Sequence, residues 1–341
     1  MRALLIGGTG NISMAITRLL AEDKDWEVWL LNRGTQGKSL PDSVYAITAD
    51  INDEDAVRRK IDCMEFDVVA DFIAYTPDQV ERDIRLFEGK TNQYIFISTA
   101  SAYQKPLSTY LVTESTPLAN PFWQYSREKI ACEEVLIRRY RETGFPVTIV
   151  RPSHTYGDYH VPLSVSGTKG VWQVLDRMRK GKPVIVQGDG SSLWTVTHSN
   201  DFAKGFVGLM GNAHAIGEAV QITSDETLTW NQIYRIIGRC LGVEPELCHI
   251  ASDYLIALRP ETEGNLNGDK SHSVVFDNAK LKRLVPGFQA TIRFDQGVAK
   301  SISNILDSPA RRVPDPVFDD WCDKVIAEYK GSIERLRSIL G

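Results

Sequence analysis

The first thirteen residues, MRALLIGGTGNIS, constrain the fold more than any other stretch: a short apolar run, a cluster of glycines, then the start of an amphipathic segment. An apolar strand that passes through glycines directly into a helix is the geometry of a phosphate-binding turn. Glycine is needed because the backbone bends sharply and approaches a pyrophosphate closely, where the unpaired N–H groups of the helix N-terminus meet its charge. The pattern is Gly7-x-x-Gly10-x-x-Ser13. Its third position normally takes Gly or Ala so that helix and strand can touch, and serine is only slightly larger. Gly7, Thr9, Gly10, Asn11 and Ile12 are therefore expected to hold a dinucleotide, the alternative being a tight turn with a purely structural role.

The same rhythm continues. Strands are expected at 3–6, 27–31, 44–49, 67–74, 93–98 and 146–151, and amphipathic helices at 14–22, 54–61, 77–87 and 125–141. Strict alternation means a parallel sheet with helices on both faces, because each parallel crossover needs a covering helix. The fold class is α/β, a doubly wound Rossmann-type sheet. Beyond about residue 156 the elements shorten, with strands expected at 184–187, 195–197 and 219–223 and helices at 201–210 and 230–241. A chain of 341 residues exceeds the size at which one core usually suffices. The expected division is a dinucleotide-binding domain at 1–157, with parts of 183–224 returning to the sheet, and a smaller α/β substrate lobe at 158–310. A helical tail at 311–341 carries Trp321, Val325, Ile326 and Tyr329 at helical spacing, which reads as packing.

Composition removes several classes of function. Lys and Arg total 39 against 44 Asp and Glu, a net charge of -5 with both signs spread along the chain, so no basic face awaits nucleic acid. Five scattered cysteines, without a C-x-x-C pair or a histidine at ligand spacing, argue against disulfides and metal and for a reducing, cytoplasmic compartment. No run of 18 apolar residues occurs and no charged leader precedes the first strand, so neither a membrane span nor export is expected.

The second strand ends in Asn32-Arg33, where an NAD enzyme often has a carboxylate for the adenosine ribose. A neutral Asn and a guanidinium suit a 2'-phosphate, so NADP is favoured over NAD, although Arg33 stacked on adenine would serve either. Asp50, followed by Ile51, closes the third strand and either accepts from the adenine amine or caps the next helix. Farther on, Tyr125 and Lys129 lie four residues apart, on one helix face. A phenol is a poor base near neutrality, but adjacent positive charge favours phenolate, and such a tyrosine can exchange a proton with a substrate hydroxyl during hydride transfer. Alone, the pair equally describes an ordinary surface helix.

In order, GGTGNIS, the Asp50 strand end, DVVADFIA, FISTASAY, YSREK and RPSHTYG, with GDGSSLWTVTHSNDFA and VVFDNAKLKRLVPG later, give this chain its likeness. Over roughly residues 1–305 it resembles the extended short-chain dehydrogenase/reductase family, which includes the NAD-dependent epimerases and dehydratases of nucleotide sugars. The resemblance implies Thr99 as the hydroxyl that bonds the reacting oxygen, Tyr125 as acid/base, and Lys129 as the residue that holds the ribose and lowers the tyrosine pKa. Ser98 and Ser101 remain alternatives to Thr99. It further implies Ala74 and Pro152 beside the cofactor, and Tyr75, Ser101, His154, Trp194 and His198 beside the substrate. Two departures bear on that substrate: Trp194 and Leu266 or Asn267 stand where nucleotide-sugar members carry arginines for the diphosphate, and His154 replaces a common Asn. Lys180, Lys182, Arg179 or Lys270 could supply charge from another direction. His154, His160 and His198 either orient substrate or are hydrogen-bonded core residues, and Trp172 and Trp194 either stack on a ring or pack. Ala100 and Ser101 occupy the place of a dehydratase acid/base pair, which favours epimerisation or simple oxidation-reduction.

The expected activity is thus NAD(P)-dependent, Tyr-assisted hydride transfer on a sugar or nucleotide-sugar hydroxyl, with a small-molecule substrate, no nucleic acid or membrane partner, and a second copy of the chain in a homodimer. A reductase that consumes NADPH on a non-nucleotide carbonyl is one alternative. A non-catalytic dinucleotide-sensing or RNA-associated protein is another, because the Asn-Arg-Gly strand ending also looks like a divergent subgroup with chloroplast RNA-associated relatives.

Overall fold

Alternating side chains of the first strand face opposite sides of a sheet, and both sides are apolar here, so the strand must be covered twice. The computed structural model describes residues 1–34 and 40–341, and in it Arg2–Ile6 (β1) lies at the interior of a seven-stranded parallel sheet. The others are Glu27–Asn32 (β2), Val44–Thr48 (β3), Val68–Asp71 (β4), Tyr94–Ile97 (β5), Val147–Pro152 (β6) and Ala219–Ile222 (β7). Their order across the sheet is β7-β6-β5-β4-β1-β2-β3, with Ile6 beside Leu31 on one side and Asp71 on the other. The order reverses at β1, and ligands of open parallel sheets sit at such a point, beyond the carboxyl ends of the strands.

Ala3 and Leu5 join one core with Ile16 and Leu20 of Asn11–Ala21 (α1). Leu4 and Ile6 join another with Val57 of Glu54–Ile61 (α2), Ile84 of Pro77–Phe87 (α3) and Leu136 of Gln124–Thr143 (α4). A third core lies beyond the sheet, where Leu175 of Trp172–Arg179 (α5), Ile233 and Ile237 of Trp230–Cys240, and Val298 of Phe294–Leu306 pack together. Ser199–Leu209 returns Phe202 and Phe206 to the first core, against α1.

Two local differences from the sequence reading have physical causes. The fourth strand ends at Asp71 instead of running to 74, because its Oδ1 accepts from the N–H groups of Ile73 (2.5 Å) and Ala74 (2.9 Å) and turns the chain. The strand expected at 195–197 divides into Leu193–Trp194, antiparallel to Leu228–Thr229, and Val196–His198, parallel to His154–Tyr156. The tail is one helix, Pro316–Leu340, whose Phe318, Cys322, Val325 and Ile326 enter the third core while Trp321 and Tyr329 pack at its margin. No helix among the described residues is long and apolar enough to cross a membrane.

Candidate active site

The glycine turn is open by construction. Gly7 has φ +80°, and a Cβ there would sit 2.4 Å from Ile73 Cγ2, so a side chain would both strain the backbone and collide. Ser13 donates to Gly7 O (2.8 Å) and accepts from the Gly10 N–H (2.8 Å), tying the turn to the first coil of α1. The hydroxyl thus replaces close helix–strand contact with two hydrogen bonds. The N–H groups at the start of α1 have no intrahelical acceptors and face the strand ends, the donor set an anion needs.

Gly7, Thr9, Gly10, Asn32, Arg33, Asp50 and Ile51 line one cavity of about 460 Å³, with Tyr75 at its inner end. Asn32 Oδ1 accepts from the Gly34 N–H (2.9 Å), and Arg33 is exposed with no ion pair among the described residues. Asp50 does not cap α2. That role falls to Asp53, which accepts from the Ala56 N–H (3.0 Å), while Asp50 Oδ1 accepts from the Asn52 backbone (3.0 Å) and from its side-chain amide (3.0 Å). Asn11 points to the opposite side of the turn and donates to Thr155 O (3.1 Å).

A second cavity, about 370 Å³, follows at the ends of β5 and β6 and is lined by Ile12, Thr99, Ser101, Tyr125, Pro152, His154 and Trp194. Thr99, Ser101 and Ser126 form a chain of hydroxyls at 2.9 and 2.7 Å. Ser98 is directed elsewhere: it is buried against the Glu133 carboxylate, outside this lining. Of the three hydroxyls left open by the sequence, Thr99 and Ser101 therefore reach the cavity. Tyr125, in the first turn of α4, has its phenol pushed up to about 12 by burial, with the Thr99 hydroxyl pulling the other way.

Lys129 is buried behind Tyr125. Its ammonium donates to Ala74 O (2.7 Å) and Ile97 O (2.6 Å) and lies between the rings of Tyr75 and Phe96, 4.5 and 4.6 Å from their centroids. Burial pulls it down to about 8, opposed by Asp71. The resemblance gives Lys129 the task of lowering the tyrosine pKa; here its ammonium is turned onto two strand-end carbonyls, and burial is the largest influence on the phenol. The Tyr75 ring, 6.2 Å from that of Tyr125, bridges the two cavities.

His154 lines the second cavity, its Nε2 is buried without a partner, and burial pushes its imidazole pKa down. Trp194 stacks at 5.4 Å on Trp230 and keeps its buried indole N–H without an acceptor. His198 is not brought to this cavity. Its Nδ1 accepts from the Asn200 N–H (3.1 Å), capping Ser199–Leu209, and its ring meets Tyr156 edge-on. Trp172 packs in the third core. None of the cations suggested by the sequence lines the cavity: Lys180 pairs with Asp176, Lys182 with Asp319 and Asp323, Arg179 lies over Trp172, and Lys270 donates to Asn265 and Leu163. Two residues that sequence reasoning missed do line it, Lys105 and Asp269. Lys105 sits in an aperiodic loop before Pro106, and Asp269 served only as a landmark beside Gly268, so neither carried a periodic or spacing signal.

Known proteins share this sequence and fold in part. The chain is 25% identical over 292 residues to 2'-dehydrokanamycin reductase of Streptomyces kanamyceticus, covering 85% of this chain and 80% of that protein. It is 26% identical over 262 residues to the chloroplast stem-loop binding protein of 41 kDa b of Arabidopsis thaliana, covering 73% and 65%. The solved structure of UDP-glucuronic acid 4-epimerase from Bacillus cereus, in complex with UDP-glucuronic acid and NAD, shares the fold with a TM-score of 0.72 at 18% identity, over 90% of this chain and 99% of that one. The model of the NAD dependent epimerase/dehydratase family matches residues 3–223, and the chain belongs to that family.

Proposed function

We propose that this chain is an NAD(P)-dependent oxidoreductase or epimerase that moves hydride to or from a carbon of a sugar-like substrate, with Tyr125 exchanging the proton. The observation that carries this reading is the convergence of the Thr99 and Tyr125 hydroxyls in one cavity, joined through Tyr75 to the cleft beneath the glycine turn. The turn, Asn32, Arg33, Asp50 and Ile51 would hold the dinucleotide, and Ala74, Lys129 and Pro152 its inner half. When bound, the nicotinamide supplies the hydride acceptor or donor. Thr99 orients the substrate oxygen, and Tyr125 takes or gives its proton at Oη; positive charge beside the phenol would bring it down from about 12 toward working pH. Lys129, held over two carbonyls, presents its remaining donor capacity to a ribose hydroxyl. An exposed Arg33 without an ion pair, at a strand end with no carboxylate, supports NADP over NAD.

Net reduction of a carbonyl is the second reading, supported by the likeness to a protein named as a reductase. Stoichiometric loss of NADPH absorbance with a carbonyl substrate indicates the reductase, and isomerised product without net cofactor change indicates the epimerase. Tyr125→Phe is expected to lower kcat by 10²–10⁴ with cofactor affinity retained. Full activity in that variant, or failure of the purified protein to bind either NAD or NADP, refutes the proposal.

A further inference from the structure

Two ionisable side chains that hydride transfer does not use face the second cavity. Lys105 is only 4% exposed, yet its ammonium makes no hydrogen bond and no ion pair within 4.0 Å among the described residues. The Asp269 carboxylate, in the same lining, is likewise without either kind of partner. Burying a lysine unpaired is costly, and such a group persists where the surrounding structure enforces it; Asp269 is half-buried beside it.

The enforcement is visible. Lys105 is pinned by its N–H donating to Ala119 O (2.8 Å), next to Gln104 N–H on Pro117 O (2.7 Å). Asn120, buried, donates one amide hydrogen to Gly268 O (2.7 Å) and one to Ser101 O (2.8 Å), stitching the Asp269 segment to the Thr99 loop. Asp269 itself lies in a five-residue π-turn, Leu266–Lys270, a widened helical turn that concentrates at functional sites. The next residue, Lys270, uses its ammonium on Asn265 and Leu163 instead. Two more polar atoms in the same lining lack partners, the buried indole N–H of Trp194 and Nε2 of His154.

These groups select among ligands. A diphosphate calls for several cationic or bidentate donors. This lining has one cation and no arginine, and it sets a carboxylate beside that cation. Burial holds the Asp269 carboxyl up at about 6, with Lys105 and Lys270 opposing, and a carboxyl group set in the lining beside a single cation is a poor neighbour for phosphate oxygens. A polyhydroxylated ring suits Lys105 and Asp269 better: its hydroxyls would donate to Asp269, its oxygens would accept from Lys105, and its apolar edge would lie against Trp123 and Trp194.

We infer that the substrate is an unphosphorylated sugar or cyclitol ring read by Lys105 and Asp269 together, a hydroxyl or amino group donating to Asp269 while a ring oxygen accepts from Lys105. This deepens the hydride-transfer reading and rests on it. The test is calorimetric titration of the full chain, saturated with NADP or NAD, with glucose, glucosamine, myo-inositol, UDP and UDP-glucose. At least one unphosphorylated ring is expected to bind, and Lys105→Met and Asp269→Asn each to weaken it tenfold or more, with cofactor affinity within twofold of wild type. A larger loss for glucosamine than for glucose in Asp269→Asn identifies an ammonium as the donor. Lys105→Arg and Asp269→Glu provide a second pair that keeps charge and changes reach, with circular dichroism reporting folding. Tighter binding of UDP or UDP-glucose than of any free ring, wild-type affinity in both charge-removing variants, or binding of no ring at all overturns the inference. Failure to bind either cofactor is a separate measurement and refutes the hydride-transfer reading instead.

Discussion

Glu133 lies one helical turn beyond Lys129 on α4, and its carboxylate accepts from Arg151 of β6 at Nε (3.0 Å) and Nη2 (2.5 Å) and from Ser98 at the end of β5. Both charged side chains are buried, at 3% and 5% exposure. The pair therefore pins the helix that carries Tyr125 to the two strands whose ends form the cavity floor. Glu133→Ala leaves the Arg151 guanidinium buried beside only the ring of Tyr103, 5.0 Å away, and a distant Glu114 carbonyl. Removing one partner of such a pair costs about 3–5 kcal/mol. At about 2 °C per kcal/mol for a large domain, the melting temperature should fall by roughly 6–10 °C. Replacing the whole set, with Ser98→Ala, Glu133→Leu and Arg151→Met combined, removes both buried charges together, at the cost of only the 3.4 Å contact to the Glu114 carbonyl, and should recover most of that loss. Differential scanning calorimetry reads both numbers. A Glu133→Ala protein melting within 2 °C of wild type, or a triple variant melting no higher than the single, refutes the reasoning.

Two further outcomes follow from the same coordinates. Gly7→Ala forces a non-glycine residue to φ +80° and sets its Cβ 2.4 Å from Ile73 Cγ2, so dinucleotide affinity measured by fluorescence titration should drop at least tenfold, and Ile73→Ala in the same chain should restore part of it. Lys129 holds its proton less firmly when folded, at about 8 against an ordinary 10.5, so the folded chain binds fewer protons than the unfolded one between those values and gains stability as pH rises through that window. Lys129→Met removes this dependence: the variant should melt above wild type at pH 7, the gap should narrow from pH 8 toward 10.5, and cofactor affinity should fall; a pH-independent gap would argue against the assignment.

Much of the fold was legible because burial on both faces leaves a strong mark. Runs such as Ala3 to Ile6 and Val68 to Ala70 have no polar alternation, and only a doubly covered strand tolerates that. Helices 54–61 and 77–87 were readable to the residue because Asp53 and Pro77 punctuate them. The turn after Asp71 was not, since one carboxylate bonding two N–H groups leaves no periodic trace. For the site, motif spacing located the Thr99, Tyr125 and Lys129 side chains but not their directions. Four residues of separation puts Tyr125 and Lys129 on one face, yet the lysine stem is long enough to turn its charge onto Ala74 and Ile97. For His198 the sequence left substrate contact and a hydrogen-bonded core role both open, and its Nδ1 accepts from the Asn200 N–H at a helix start, a use that has no spacing signal. Lys105 and Asp269 converge through contacts more than a hundred residues apart, which no local pattern encodes.

The seventh strand has a consequence for how the chain can be made and cut. Ala219–Ile222 is the sole sheet neighbour of β6 on its outer side, and it arrives some seventy residues after β6 in the sequence. Until then Val147–Pro152, buried along its whole length in the folded chain, offers a bare row of amide and carbonyl groups to any other chain emerging nearby. A fragment ending near residue 157 would keep the glycine turn, Tyr125 and Lys129 but precipitate through that seam, so the nucleotide half cannot be harvested as a free-standing module.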